Sequence, residues 1–188
     1  MKGLGTLLVA FAVVGLPPAG FAQAAPAEGG ATAYRAASSG QWYSYDAATN
    51  TVTLRLEAGA PGSAGPFNFN GYTSGEATLV VPAKSNVVIN FVNNDGTPHS
   101  AALIADIEPM PNMGGKPAIP RAYTRDLTQG IPQGGTDVMT FTAPASGAFR
   151  IFCGVPGHGI SGMWIRMKVD SSAKGPSWTA EPLKPWRQ

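Results

Sequence analysis

Cys153-Gly-Val-Pro-Gly-His158-Gly-Ile-Ser-Gly-Met163 carries the only cysteine of the chain, one of its two histidines and a methionine, in the order thiolate, imidazole, thioether. The other histidine lies upstream, in Asp95-Gly-Thr-Pro-His99-Ser-Ala. On either side of the first stretch the sequence reads as strand: Ala148-Phe-Arg-Ile-Phe-Cys153 before it and Gly162-Met-Trp-Ile-Arg-Met-Lys-Val-Asp170 across its end. Gly154, Pro156, Gly157, Gly159 and Gly162 make the connection a tight loop. Cys153 then ends one strand, His158 sits in the turn and Met163 begins the next strand, so the loop can bring three side chains onto one ion.

The residue types point to the ion. Two imidazoles and one thiolate in a trigonal set, with a weak axial thioether, make a blue-copper electron-transfer site. Imidazole suits both Cu(II) and Cu(I), and soft sulfur favours Cu(I). Each residue alone has an ordinary role: a buried Cys packs as a small apolar group, a His sits at a turn, a Met fills a core. The spacing, the second His beside a separate strand and the exhaustion of both residue types argue jointly for one copper ion.

Cys-x4-His-x4-Met with an upstream His resembles the cupredoxins that have the longer ligand loop, the sulfocyanins and, as second choice, the rusticyanins. Phe67-Asn-Phe-Asn-Gly-Tyr-Thr-Ser-Gly-Glu-Ala-Thr-Leu-Val-Val-Pro82 resembles a sulfocyanin segment, and Val155-Pro-Gly-His158 with Gly162-Met163 resembles the sulfocyanin ligand loop. The similarity spans roughly residues 50–170. It implies that His99, Cys153 and His158 are equatorial ligands, that Met163 is axial, and that the copper is type 1.

Short alternating or β-rich runs recur along the chain: 51–56, 77–82, 86–92, 100–104 and 137–142, with a further candidate near Gln41-Trp-Tyr-Ser-Tyr45. With 24 Gly, 17 Pro and no sustained helical period, they predict an all-β fold. Together with the resemblance, the expectation is a cupredoxin-like Greek-key β-sandwich. The expected organisation is a signal peptide over 1–24, a linker or N-terminal arm over 25–45, the cupredoxin domain over 46–172 and a C-terminal tail over 173–188. The tail, with Trp178 and Trp186 among prolines, is expected to lie partly against the sandwich. The Pro- and Gly-rich segment 105–135 either covers a sheet edge or brings Met110, Met113 and Tyr123 to the copper end or a partner surface.

Lys2, the apolar run from Leu4 to Leu16 and Ala22-Gln-Ala24 form the pattern of a secretory leader. Spanning a bilayer takes about 20 apolar residues, so membrane association is expected only if this segment stays uncleaved. The expected location is periplasmic or otherwise extracytoplasmic. One Cys excludes an internal disulfide, and such a leftover thiol in an exported protein suggests a liganding or reactive role. Removing 1–24 takes away only Lys2 among charged side chains, so the net charge falls from +2 to +1. No basic run suggests nucleic-acid binding. The sparse charge suits docking through an apolar patch.

These observations predict a monomeric carrier of single electrons, not an enzyme, working between a donor and an acceptor such as a cytochrome or a terminal oxidase. Copper oxidases and nitrite reductases commonly couple a blue site to a second centre through a His beside the ligand Cys. Here the neighbours are Phe152 and Gly154, and no histidine is spare. A copper carrier or store, or a subunit of a copper oxidase system, is the alternative, although the methionines are too dispersed for a Met-rich delivery site. His158, on the loop, is the expected electron port, with Val155, Pro156 and Ile160 around it. Ser100 and Asn94 are candidates for contacts that orient ligands. Phe91, Phe149, Phe152, Ile160 and Trp164 are candidates for an apolar shell, which would disfavour the more charged Cu(II) and raise the reduction potential.

Overall fold

The computed structural model describes residues 42–60 and 65–180. The expected signal peptide, most of the expected N-terminal arm and the tail beyond Ala180, Trp186 included, lie outside the described residues. Among those described, the chain forms strands Tyr43–Asp46 (β1), Thr51–Ala58 (β2), Ala77–Pro82 (β3), Asn86–Asn93 (β4), Ala102–Ala105 (β5), Thr136–Thr142 (β6), Gly147–Phe152 (β7), Trp164–Asp170 (β8) and Ser177–Ala180 (β9), and no helix.

The strands make two mixed sheets, in the orders β1-β2-β4-β6 and β5-β7-β8-β3-β9. The β2–β4 and β3–β8 pairs are parallel, and the remaining pairs are antiparallel. The fold is the expected cupredoxin-like β-sandwich. Alternation builds its core, because successive side chains of a strand face opposite sides. Val52, Leu54 and Leu56 of β2 and Val87, Ile89 and Phe91 of β4 are buried on one sheet, and Leu79, Val81, Ile151, Ile165, Met167 and Val169 on the other. Burying each such side chain contributes roughly 1.5–3 kcal/mol.

The same alternation positions the site. Cys153 continues the inward-facing series of Phe149 and Ile151. Met163 precedes Ile165 and Met167 in the same way. His99 precedes Ala101 and Leu103, and all of these belong to the main core or the site. The opposite parity sends Ala102, Ile104, Phe152 and Trp164 to a small second core, packed by Met110 and Leu127.

Two edges are completed by short strands. β1 pairs with β2 at one end of the chain, and β9, from the segment read as tail, pairs antiparallel with β3. Trp178 of β9 lies against Tyr72, with ring centroids 5.9 Å apart. The expected strand 100–104 starts two residues later, at Ala102. His99 instead exchanges main-chain hydrogen bonds with Ile131, at 3.1 and 2.7 Å, and the Ser100 hydroxyl donates to the Leu127 carbonyl at 2.7 Å. Segment 105–135 does cover a sheet edge. Leu103 N–H donates to Ala122, Thr124 N–H to Ala101 and Ala118 N–H to Leu103, each at 2.8 Å, along the free side of β5.

The Phe67-Asn-Phe-Asn-Gly71 segment is fastened to β2 by its asparagines. Asn70 accepts from the Glu57 N–H at 2.6 Å and donates to the Arg55 carbonyl at 2.9 Å. Asn68, fully buried, accepts from the N–H groups of Ala60 and Gly71 and donates to the Gly65 carbonyl at 2.7 Å. Asn70 also has φ near +49 to +59 like several turn residues, its own value being 55°, a left-handed conformation that Asn tolerates better than most side chains. Replacing Asn70 with Ala strands a buried N–H and a carbonyl, each worth about 1–3 kcal/mol. Urea denaturation of Asn70→Ala is expected to show a loss of about 2–6 kcal/mol.

Candidate metal centre

Cys153 and Met163 face each other across the end of the β7–β8 ladder, where the Cys153 N–H donates to the Met163 carbonyl at 3.1 Å. The loop between them folds back on itself. The His158 N–H donates to Val155, the Met163 N–H to His158, both at 3.1 Å, and the Gly162 N–H to Gly159 at 3.0 Å. His158 is thereby brought over Cys153, its Nδ1 3.6 Å from Sγ. His99 enters from the β4–β5 connection, and its Nδ1 lies 3.1 Å from that of His158. The three candidate donor atoms of His99, Cys153 and His158 lie within 4.8 Å of one another, and all three residues are buried. Met163 is fully buried in the same core.

Burial sets the protonation of these groups. It pushes His158 down to about 4, helped by the charge of neighbouring His99 and opposed by Asp95. It also lowers His99, against the pull of Asp95. Both imidazoles are therefore neutral at neutral pH, the form that ligates metal. Burial raises the Cys153 thiol, while N–H groups of Ser100 and Val155 pull the other way. A coordinated cation deprotonates such a thiol outright.

Neighbouring groups hold each donor in orientation. His99 Nε2 lies 2.9 Å from the Asp95 carboxylate, which makes Nε2 the protonated nitrogen and leaves the Nδ1 lone pair facing the other donors. Burial acts to raise the Asp95 carboxyl, but hydrogen bonds from His99, Gly96 and Thr97 outweigh it and hold the group below the ordinary carboxylate value. The Ser100 N–H points at Cys153 Sγ, 3.4 Å away, and the Ser100 hydroxyl accepts from the Gly154 N–H at 3.0 Å. The expected role of Ser100 is thus observed. Asn94 does not take the part suggested for it. Its fully buried neighbour Asn93 does, donating to the carbonyls of Thr97 and Ile131 at 2.8 Å each and accepting from the Asp95 N–H at 2.9 Å.

The apolar surroundings also differ in part from expectation. Phe67 lies against His158, with ring centroids 4.4 Å apart, and meets His99 edge-on at 6.4 Å. Ile160 is 53% exposed and does not shield the centre. Phe152 packs under the ligand loop: a Cβ at Gly159 would lie 1.9 Å from its ring. Trp164 lies on the outer side of the sheet, its ring faced by the guanidinium groups of Arg150 and Arg166 at 4.5 and 5.1 Å.

Part of segment 105–135 straps this end of the molecule. The Gly114 N–H donates to the Gly154 carbonyl at 2.6 Å, and the Gly157 N–H donates to the Asn112 carbonyl at 2.9 Å. The approach is so close that a Cβ at Gly154 would meet the Gly114 carbonyl oxygen at 2.5 Å. Phe67, Asn93, Asp95 and the Asn112–Gly114 strap were not legible as parts of the site. Only the Asp-x3-His spacing before a candidate ligand hinted at one of them, Asp95.

The donor set, two neutral imidazoles and one thiol converging in a buried pocket, fits a type 1 copper ion, and these residues form a candidate copper site. Comparison with known proteins agrees. The family model of the sulfocyanin (SoxE) domain matches residues 38–179. A sulfocyanin of Sulfolobus acidocaldarius is 30% identical over 139 residues, covering 70% of each chain. The chain belongs to the sulfocyanin family. Its sandwich also superposes on rusticyanin from Thiobacillus ferrooxidans with a TM-score of 0.52 at 23% identity, covering 74% of this chain and 93% of the other. Membership of a family of blue copper cupredoxins carries electron transfer as the general function. In this sulfocyanin-type site the Asp95 contact should matter for the metal. Removing such a partner typically lowers metal affinity about 10–100-fold. Competition against a chelator is expected to show a loss of that order for Asp95→Ala and a smaller one for Asp95→Asn, which keeps an oxygen acceptor.

Proposed function

We propose that this protein carries single electrons between redox proteins outside the cytoplasm through one copper ion, held by His99, Cys153 and His158 with Met163 as a weak axial ligand. The observation that carries the proposal is the convergence of two imidazoles and a thiol within 4.8 Å in a buried pocket. When bound, copper supplies a one-electron couple between Cu(II) and Cu(I). The protein keeps the donors fixed in both states. Asp95 holds the His99 tautomer, the strap bonds to Gly154 and Gly157, and Phe152 and Phe67 fill the space around the loop. The Ser100 N–H aimed at the sulfur withdraws electron density from a thiolate and favours the reduced state, as hydrogen bonding around the Cys sulfur does in such sites.

His158 is the better candidate for the electron port. It is 7% exposed, whereas His99 has no exposure. Around it, Pro156 and Ile160 are exposed and Val155 is half-buried. Met113, in the strap bonded to the loop, is 52% exposed. These residues form the apolar surface on which we place a redox partner. Export is supported by Lys2 and the apolar run after it, and action as a carrier rather than an enzyme by the absence of a His beside Cys153.

Copper-loaded protein is expected to show an intense thiolate-to-copper band that bleaches on reduction. Cys153→Ala should lose the band while keeping its strand circular dichroism, and an unchanged band would remove Cys153 from the ligand set. Met163→Gln exchanges a soft thioether for a harder oxygen donor, which favours Cu(II), so voltammetry should give a lower reduction potential.

Ile160→Lys should leave the copper spectrum intact and slow electron exchange with a redox partner by roughly tenfold or more, the effect of losing one well-packed interface residue. The unmodified protein should show a shallow salt dependence, because screening acts on charged encounters. Unaltered stopped-flow rates in the variant together with a steep salt dependence would place docking elsewhere.

A further inference from the structure

The residues on either side of the strap that reaches the ligand loop line an apolar cleft beside the end of β5, of about 470 Å³. That lies within the roughly 300–1,000 Å³ of small-molecule sites. Ile104, Ile107, Pro109, Pro111 and Pro117 form its walls, and Lys116 is its one charged lining residue. The three prolines restrict the backbone, so the walls are largely preformed. Ile107 is 66% exposed, an apolar side chain left in water at the cleft.

The charges around the cleft are unequal. Asp106 and Glu108 flank Ile107, but both are bound by Arg150, at 2.5 and 2.7 Å, and Asp106 also lies 3.8 Å from Arg166. Lys116 is exposed and has no hydrogen bond or ion pair with any described residue. The uncompensated charge at this apolar cleft is therefore positive.

We propose that the cleft binds one small amphiphile with an apolar body and an anionic head, its body against Ile104, Ile107 and the prolines and its head at Lys116. The volume suits a single medium-length acyl chain or a small ring system, not a helix of another protein. None of the lining residues belongs to the candidate copper site, but the two are in mechanical contact. Gly115, between the cleft and Phe152, leaves only enough room that a Cβ would lie 3.0 Å from Ile104, 3.6 Å from Pro111 and 3.7 Å from Phe152. Phe152 in turn carries Cys153 and underlies Gly159.

Decanoate is a suitable probe, with decyltrimethylammonium as its cationic counterpart. Calorimetric titration of the full-length protein is expected to show saturable uptake of one decanoate per chain, and the cation should bind about tenfold more weakly or worse. Amide NMR shifts should concentrate on 104–118 and reach Phe152. Lys116→Glu should weaken decanoate binding about tenfold. Ala118→Trp, at an exposed position that also lines the cleft, should abolish it while strand circular dichroism and thermal midpoint are retained. Absence of saturable uptake, equal affinity for the two amphiphiles, or undiminished decanoate binding in the folded Ala118→Trp protein would each overturn the proposal.

Discussion

The β7–β8 ladder runs one residue past the end of each strand, to the hydrogen bond from the Cys153 N–H to the Met163 carbonyl. That bond fixes the two ends of the ligand loop at the spacing of paired strands. With the ends fixed, the turn hydrogen bonds inside the loop leave His158 above Cys153. Strand parity then directs Cys153 and Met163 into the sandwich and Phe152 and Trp164 out of it. A one-residue slip of either strand would exchange these sets and put the sulfur atoms on the wrong face. Isolated β-pairing seldom holds such a register alone. Here it is held by the core on one face and by the small cluster of Ala102, Ile104, Phe152 and Trp164 on the other.

This two-sided support explains why the ligand loop can be rich in glycine without being loose. Its glycines allow other chain segments to come close. Phe152 lies against Gly159, and the Gly114 carbonyl lies against Gly154. Main-chain bonds from the strap and the Ser100 hydroxyl occupy polar groups that would otherwise be left to water. The cost of moving any donor is then shared with neighbours on several strands, which is the mechanical condition for a small change in geometry between redox states. Arg150, buried over Trp164 and paired with Asp106 and Glu108, ties the start of the strap to the same sheet.

Most of the strands were legible because their patterns are local. Thr51-Val-Thr-Leu-Arg-Leu56 and Asp137-Val-Met-Thr-Phe-Thr142 alternate in sequence and in burial. The three candidate donors His99, Cys153 and His158 were legible for a different reason: cysteine and histidine are so scarce here that their spacing leaves few arrangements. What surrounds them was less so. Asn93 and Asn94 are equivalent as neighbours in a turn sequence, and only the direction of the last residue of β4 decides that Asn93 faces the interior. Phe67 meets His158 through a fold-back of a segment far from it in the chain. Ile160 looked like shielding because it is apolar and close to a ligand, yet its place in the turn points it to solvent. β9 is a four-residue edge strand among prolines and glycines, too short to carry a period of its own.

The parallel pairings join distant parts of the chain: β3, at 77–82, lies beside β8, at 164–170, and β2 beside β4. Pairings of this kind close long loops before any contact rewards them, so they form slowly. His99 lies just before β5 and the remaining donors lie in the β7–β8 connection, and β5, β7 and β8 are neighbours in one sheet, so the donors meet once β5 has paired with β7. Order of assembly follows from this. The meeting place of the donors needs the antiparallel β5-β7-β8 pairings alone, so it does not wait on the slower parallel pairings of β2 with β4 and of β3 with β8.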